Sequence, residues 1–489
     1  MNPQLRNALV VLFAAAVAVA AGIDVASENY GWIGLLALGA IAAILTRTLA
    51  LPTDVIVLGM VMFGYLVGNR GFAQLMPSPG VPLLPAEGAL LIAGSWALVA
   101  SAYEKRLPFR RDPLNWAVLA WLVLGSARVI FDVRLFGFLA LRDFATIYYA
   151  AFFFLAQRAS ELPQARRYLM VCALLGCTLL PPLAALYEVV PELFYPVRIH
   201  GMPLLLYKGD LALMFTAGAA VLLFHWALGL GRAWLSLYPV AIGTFVFARE
   251  SRASILGSLL VLGLLTVHRR WRYPAVLMGT LAAGAAIILA LATLTNNDWA
   301  EQRLATVSAH LDSIINPVRS VSTVSDESAY KWDNNRFRLV WWKSVMQETL
   351  ERSPAIGLGF GHDLAHGFLQ AYNPEMADEF TARSPHNIAL TALGRLGLAG
   401  LAVWLGLVGC VLAETWRSLR SDPTPLHWGV WGMLTIILVT AHLQVVLEGP
   451  MAAVPFWIIL GLASGSMRSA HTPPTAAAES GDLPPQNKP

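Results

Sequence analysis

Apolar runs close to the length that crosses a bilayer recur along nearly the whole chain, broken by short polar loops and one long polar stretch. In hydrocarbon every backbone N–H and C=O must find its partner inside the span, so such runs fold as helices rather than as open sheets. Hydropathy marks spans near 8–26, 31–49, 53–69, 86–103, 113–131, 136–157, 166–189, 205–229, 233–248, 252–268, 273–294, 386–415, 426–446 and 450–467. Some fall short of the roughly 20 residues a full span needs, and with two of them re-entrant the fourteen become about twelve. With 57% hydrophobic and 13% charged residues among 489, no ordinary soluble surface can be assembled. The expected fold is an all-α polytopic integral membrane protein of about 12 to 14 transmembrane helices. It divides into an N-terminal transmembrane helical region (1–295), a large, mainly helical extramembrane domain (296–385), C-terminal transmembrane helices (386–468) and a proline-rich, disordered tail (469–489).

Orientation follows from Arg and Lys, which concentrate in cytoplasmic loops. Lys105, Arg106, Arg110 and Arg111 share one loop, Arg158, Arg166 and Arg167 a second, Arg269, Arg270 and Arg272 a third, and Arg417 and Arg420 a fourth. By parity all four lie on the side of the N-terminus, so both termini are expected in the cytoplasm and the 296–385 domain across the membrane, in a bacterium the periplasm. The segment from Arg6 to Ala21 has the look of a signal peptide. With so many spans following, an uncleaved first helix is expected. The inside anchors account for the net charge of +4 and the isoelectric point near 9.0, and call for no nucleic-acid partner.

A histidine stands where the polar stretch becomes a long apolar helix. Ser384 reads as an N-cap, Pro385 as the first helical residue and His386 as part of the first turn. There the positive end of the helix dipole keeps an imidazole neutral, which suits a general base.

Arginines on the far side lack a topological reason. Arg142 lies near the outer end of span 136–157, Arg198 and Lys208 border the loop before 205–229, and Arg249 and Arg252 occupy a tight turn between two short spans. Arg249 reads equally well as functional or as a residue that pairs with Glu250 or reaches headgroups, whereas Arg252, beside Ser251 at a helix start, reads as functional. Arg128 and Arg134 read as headgroup contacts. Guanidinium groups gathered at one membrane face suit phosphate oxygens, and a pyrophosphate leaving group needs such neutralisation as its charge builds.

In the 296–385 domain, 299–318 and 335–352 read as amphipathic helices, the second capped by Asn334 or Asn335 and striped by Phe337, Val340, Trp341 and Val345. Packing explains that stripe better than a sugar platform does. Gly357, Gly359 and Gly361 form a turn that is neither a dinucleotide fingerprint nor a Walker loop, so nucleotide hydrolysis is unsupported. His362 and His366 stand four apart, but the acid between them, Asp363, is not where a zincin has its Glu, and a surface pair is the expectation rather than a metal site. His225, His268, His427 and His442 belong to spans and are expected to satisfy local hydrogen bonds. Cys172, Cys177 and Cys410 lie in apolar spans and read as small buried hydrophobes.

Together these residues resemble the O-antigen ligases, relatives of the O-antigen polymerases and of bacterial protein oligosaccharyltransferases. The resemblance covers much of the chain but is carried by short signatures: His386 and Asn387 followed by Leu390, Leu393, Gly397 and Gly400; Arg338 through Pro354 to Gly357, Gly359 and Gly361; the pair Ser251 and Arg252; and Arg198 with Gly201. The last departs from the usual pattern by running into Tyr207 and Lys208. It implies a glycosyltransferase moving polysaccharide from undecaprenyl pyrophosphate to lipid A core oligosaccharide at the periplasmic face of the inner membrane. No cofactor, metal, nucleotide or nucleotide sugar is then expected. His386 would be the base of an inverting displacement. Arg252, Arg198, Arg142, Lys208, Arg338 and Asn387 would contact pyrophosphate or glycan. The same fold could polymerise O-antigen repeats or glycosylate protein. A polyprenyl-glycan flippase, of another class, would need no base, so the His386 signature and the large outer domain favour an enzyme.

Overall fold

The computed structural model describes residues 31–76, 83–105, 109–199, 201–247, 251–295, 326–372, 383–420 and 424–469. The first expected span, the helix expected over 299–318, Arg249, Glu250 and nearly all of the tail lie outside these residues. In chain order the helices are Gly31–Leu49 (α1), Thr53–Phe72 (α2), Pro85–Glu104 (α3), Pro113–Phe136 (α4), Phe138–Asp143 (α5), Ala145–Tyr148 (α6), Ala151–Ala159 (α7) and Pro163–Val189 (α8). A ribbon of Arg198–Ile199 (β1) and Met202–Pro203 (β2) follows. Then come Gly209–Gly229 (α9), Leu237–Phe245 (α10), Arg252–Val267 (α11), Arg272–Thr295 (α12), Asp326–Arg352 (α13), His366–Tyr372 (α14), Ile388–Arg420 (α15), Pro425–Ala441 (α16) and Pro450–Ser469 (α17).

The chain is an all-α polytopic membrane protein. Among the described residues seven helical stretches are long and apolar enough to cross a membrane, and five shorter apolar helices accompany them. Every expected span after the first contains a helix, but 136–157 is broken into α5, α6 and α7. Gly137, with φ 56°, turns the chain sharply at its start. Helix α13 begins earlier than expected, at Asp326, so Asn334 and Asn335 are interior positions rather than caps. No Pro or Gly interrupts 326–335, so nothing stops the helix from propagating through it. Helix α9 is enclosed along most of its length, whereas α3 and α4 present bare apolar faces, with Leu98 71% and Leu135 75% exposed. Such faces suit lipid.

The basic loops meet at one end of the bundle. Arg158 pairs with Glu104 at 2.9 Å, Arg110 with Glu161 at 3.4 Å, and His268 packs on Trp416 and Trp428. From Gly397 to its last turn, which carries Arg417 and Arg420, helix α15 runs about 35 Å at 1.5 Å per residue, so Gly397 lies at the opposite end.

At that opposite end, α15 breaks at Gly397 (φ 67°, ψ −160°). The break strips helical partners from the carbonyls before it and the amides after it, and 354–359 supplies them. Leu358 N donates to Gly394 O at 2.7 Å, Gly359 N to Arg395 O at 3.2 Å, Leu398 N to Pro354 O at 2.8 Å and Ala399 N to Ala355 O at 3.2 Å. Phe360 N donates to Asp132 at 2.7 Å and Gly361 N to Asp143 at 3.1 Å. The buried Arg395 pairs with Asp143 at 2.8 Å and donates to the carbonyls of Gly359 and His362. The glycine turn thus fastens α13 to α15, α4 and α5. Arg128 has a place in this clamp rather than at headgroups, because its guanidinium pairs at 3.0 Å with the Asp132 that holds Phe360.

A Cβ on Gly357 would lie 2.5 Å from the backbone nitrogens of Leu396 and Gly397, and its φ is +73°. Gly357→Ala is expected to cost about 1–3 kcal/mol or more. Gly406→Ala, in open surroundings within α15, is expected to be neutral or slightly stabilising. Thermal unfolding of the two variants checks the order, and equal melting points would contradict it.

Candidate functional site

Helix α15 starts at Ile388, and its cap is Asn387, whose Oδ1 accepts from Ala389 N at 3.0 Å and Leu390 N at 3.2 Å. This corrects the expected boundary: Ser384 is not the cap and His386 precedes the helix. Asn387 stands directly before the apolar run, so it wins the capping position. Ser384 instead donates to Glu448 at 2.9 Å and lies 3.1 Å from the Thr391 hydroxyl. His386 takes a left-handed backbone, φ 56°. Such a conformation costs on the order of 1–3 kcal/mol and persists only where its surroundings fix it. Here Trp342 Nε1 donates to Pro385 O at 2.6 Å on one side and Glu448 holds Ser384 on the other.

The His386 ring lies 5.6 Å from that of Trp341. Burial, then the charges of Arg338 and Lys208, push its pKa down to about 4. It is neutral as expected, but partial burial and nearby cations account for this where the sequence suggested a helix dipole. Arg338, on α13, donates to Leu443 O at 2.8 Å. Burial pulls its guanidinium below the usual value while Asp210 pulls back. Lys208, at the cap of α9, pairs with Asp210 at 3.1 Å. Arg252 opens α11 behind Ser251, whose hydroxyl caps that helix, and its charge feels that of Arg338. His386, Arg338, Lys208 and Arg252 therefore share one electrostatic neighbourhood.

The other expected site residues are engaged locally. Arg198 is exposed on the ribbon, its Nε bonded to Tyr195 O at 2.9 Å and its guanidinium over the Tyr195 ring. Arg142 is half exposed and pairs with Asp143 at 3.4 Å, in the clamp. Asn387 serves as the helix cap. His362 bonds Glu348 at 3.1 Å, and among the described residues no three His, Cys, Asp or Glu gather as metal ligands. Of the aromatic stripe, Trp341 and Val345 are buried but Val340 is exposed. Trp341 stacks on Phe368 and donates to Leu364 O at 2.8 Å, so its face is covered. His225, His427 and His442 find local hydrogen bonds, whereas the Nε2 of His268 has no partner among the described residues.

Sequence reasoning missed the connection between α16 and α17. Leu443 O holds Arg338, Gln444 Oε1 accepts from Ser251 at 3.2 Å, and Glu448 holds Ser384 and Thr391 on either side of His386. One short segment therefore fastens the surroundings of His386 and of two of the cations. An acid, Glu448, in an otherwise apolar run was the available signal. Burial raises its carboxyl above the usual range, and bonds from Ser384, Val446 and Thr391 oppose the rise. Glu448→Ala strips an acceptor from two hydroxyls and a backbone amide, and is expected to cost about 1–3 kcal/mol. Glu448→Gln keeps one acceptor oxygen and should lose less. Thermal unfolding decides, and an unchanged Ala variant would contradict the fastening role.

A comparison with curated proteins found no match. The family model described as O-antigen ligase matches residues 237–405, a segment that holds Arg252, Arg338, the glycine clamp and His386 but neither Lys208 nor the 443–448 connection. Across those residues the chain is similar to the O-antigen ligase family.

Proposed function

We propose that the protein is an O-antigen ligase of the bacterial inner membrane, transferring polysaccharide from undecaprenyl pyrophosphate to lipid A core oligosaccharide on the periplasmic side. The observation that carries this reading is the half-buried His386 within electrostatic reach of Arg338 and Lys208, with Arg252 in turn within reach of Arg338. These groups stand at the end of the bundle away from the basic loops, which matches the periplasm if those loops are cytoplasmic.

His386 takes the proton of an acceptor sugar hydroxyl as that oxygen attacks the anomeric carbon. The bond from that carbon to the pyrophosphate oxygen breaks, and the electron pair leaves with the pyrophosphate. Arg252, Arg338 and Lys208 stabilise the departing charge, and the single displacement inverts the carbon. The polyprenyl pyrophosphate is already an activated leaving group, so the three cations carry the compensation. Arg198, turned onto Tyr195, and Arg142, paired with Asp143, are given no part in this step.

The cations that hold His386 neutral also weaken it as a base. An anionic donor beside them offsets their charge, so the imidazole regains basicity when substrate is in place. The site thus arms itself on binding.

With purified lipid-linked polysaccharide and core lipid, His386→Ala is expected to lower transfer roughly 10²- to 10⁴-fold or more. Near wild-type rates would sink the assignment. A donor-only reaction giving longer polymer would shift the reading to a polymerase, and lipid movement without chemical change to a flippase. The pH profile gives a second test. A base with a depressed pKa stays active until pH falls through that value, so the acid limb of kcat/KM should lie well below the ordinary histidine value of about 6.5. Arg338→Gln removes a neighbouring cation and should move that limb upward. A limb at the ordinary value in the wild type, or unmoved in the variant, would contradict the electrostatic account.

A further inference from the structure

At the end of the bundle that carries the basic loops, a cavity of about 820 Å³ opens between α8, α9, α16 and α17. Its walls are apolar, with Met170, Val171, Leu174, Trp226, Val430 and Leu462, and its rim carries Arg166, Arg167, Thr424 and His427. The volume lies within the roughly 300–1,000 Å³ of pockets that hold small ligands. An apolar chamber under a cationic rim has the two-part chemistry of a phospholipid.

Electrostatics favours an anion at this rim. Arg166 and Arg167 stand in the first turns of α8, whose N-terminus already carries the positive end of the helix dipole. Helix α16 begins at the same rim, and among the described residues no side chain caps its first amides. The Thr424 hydroxyl turns instead to His427 Nδ1 at 2.9 Å. A second hollow of about 310 Å³, with Arg269, Arg270 and Arg272, flanks the other side of the α16 start. So much positive charge selects a lipid with net negative charge over a zwitterionic one.

We propose that this cavity binds an anionic glycerophospholipid of the adjacent leaflet, its phosphate at Arg166 and Arg167 and an acyl chain along Met170, Leu174 and Val430. The bound lipid bridges helices of the N-terminal half to α16 and α17, the pair whose connection fastens the candidate site. This binding is independent of the glycan-transfer reading.

The test uses the full-length protein in neutral detergent, with phosphatidylglycerol, phosphatidylcholine or inorganic phosphate added, read by native mass spectrometry and by thermal unfolding. Phosphatidylglycerol is expected to be retained and to raise the melting point, and the other two are not. Each basic residue near an anionic headgroup contributes about fivefold, so Arg166→Gln with Arg167→Gln should weaken retention about 25-fold. Arg417→Gln with Arg420→Gln, the same charge change outside the cavity, should retain the lipid. Leu174→Trp fills the chamber with the charges intact and should also lose it, which keeps the test decisive if the double arginine variant folds poorly. Equal retention by wild type and Leu174→Trp, equal loss in both arginine pairs, or full stabilisation by phosphate or phosphatidylcholine would overturn the proposal.

Discussion

A helix that breaks near its start must find hydrogen-bond partners outside itself, and the break of α15 at Gly397 sets the arrangement of the outer end of this protein. In an apolar setting the freed carbonyls and amides cannot be left to water. The 354–359 segment answers them bond for bond, and Arg395 with Asp143 closes the clamp. Docked in this way, α13 packs Trp341 against His386 and puts Arg338 within electrostatic reach of it. The three glycines look like a loop built to bind a ligand. Their role is close packing, since Gly357 touches backbone where a side chain would have to go.

In the transfer we propose, opposing demands meet at His386. A base should be neutral before the reaction and strong during it, while a leaving pyrophosphate calls for cations nearby. Cations beside an imidazole depress its basicity, and burial adds to that. The conflict eases if the anion arrives with the donor, because one substrate then neutralises the charges that disarm the base. Arg338 belongs to both halves of this balance. Its own charge is held in place by Leu443 O and moderated by Asp210.

Much of this was legible in the sequence. Bilayer-length apolar runs fixed the helices after the first expected span, and the basic loops indicated which ends belong together. Ser251 before Arg252 marked a true helix start, and His386 was placed at a helix boundary, though one step outside the helix rather than within its first turn. What stayed hidden depends on partners distant in sequence. Nothing local says that Asp132 reaches Phe360 or that Asp143 pairs with Arg395. The 443–448 connection was invisible for the same reason: its contacts with Arg338, Ser251 and Ser384 exist only once α11, α13 and α15 have converged.

The most direct measurement is the titration of the His386 ring by NMR on histidine-labelled protein, assigned against His386→Ala, with and without a short polyprenyl pyrophosphate. The account predicts a ring that stays neutral far below the ordinary midpoint of about 6.5 in the free protein. Its midpoint should climb when the pyrophosphate is present. A midpoint near the ordinary value that does not respond to pyrophosphate would contradict the claim that these cations and this histidine form one site.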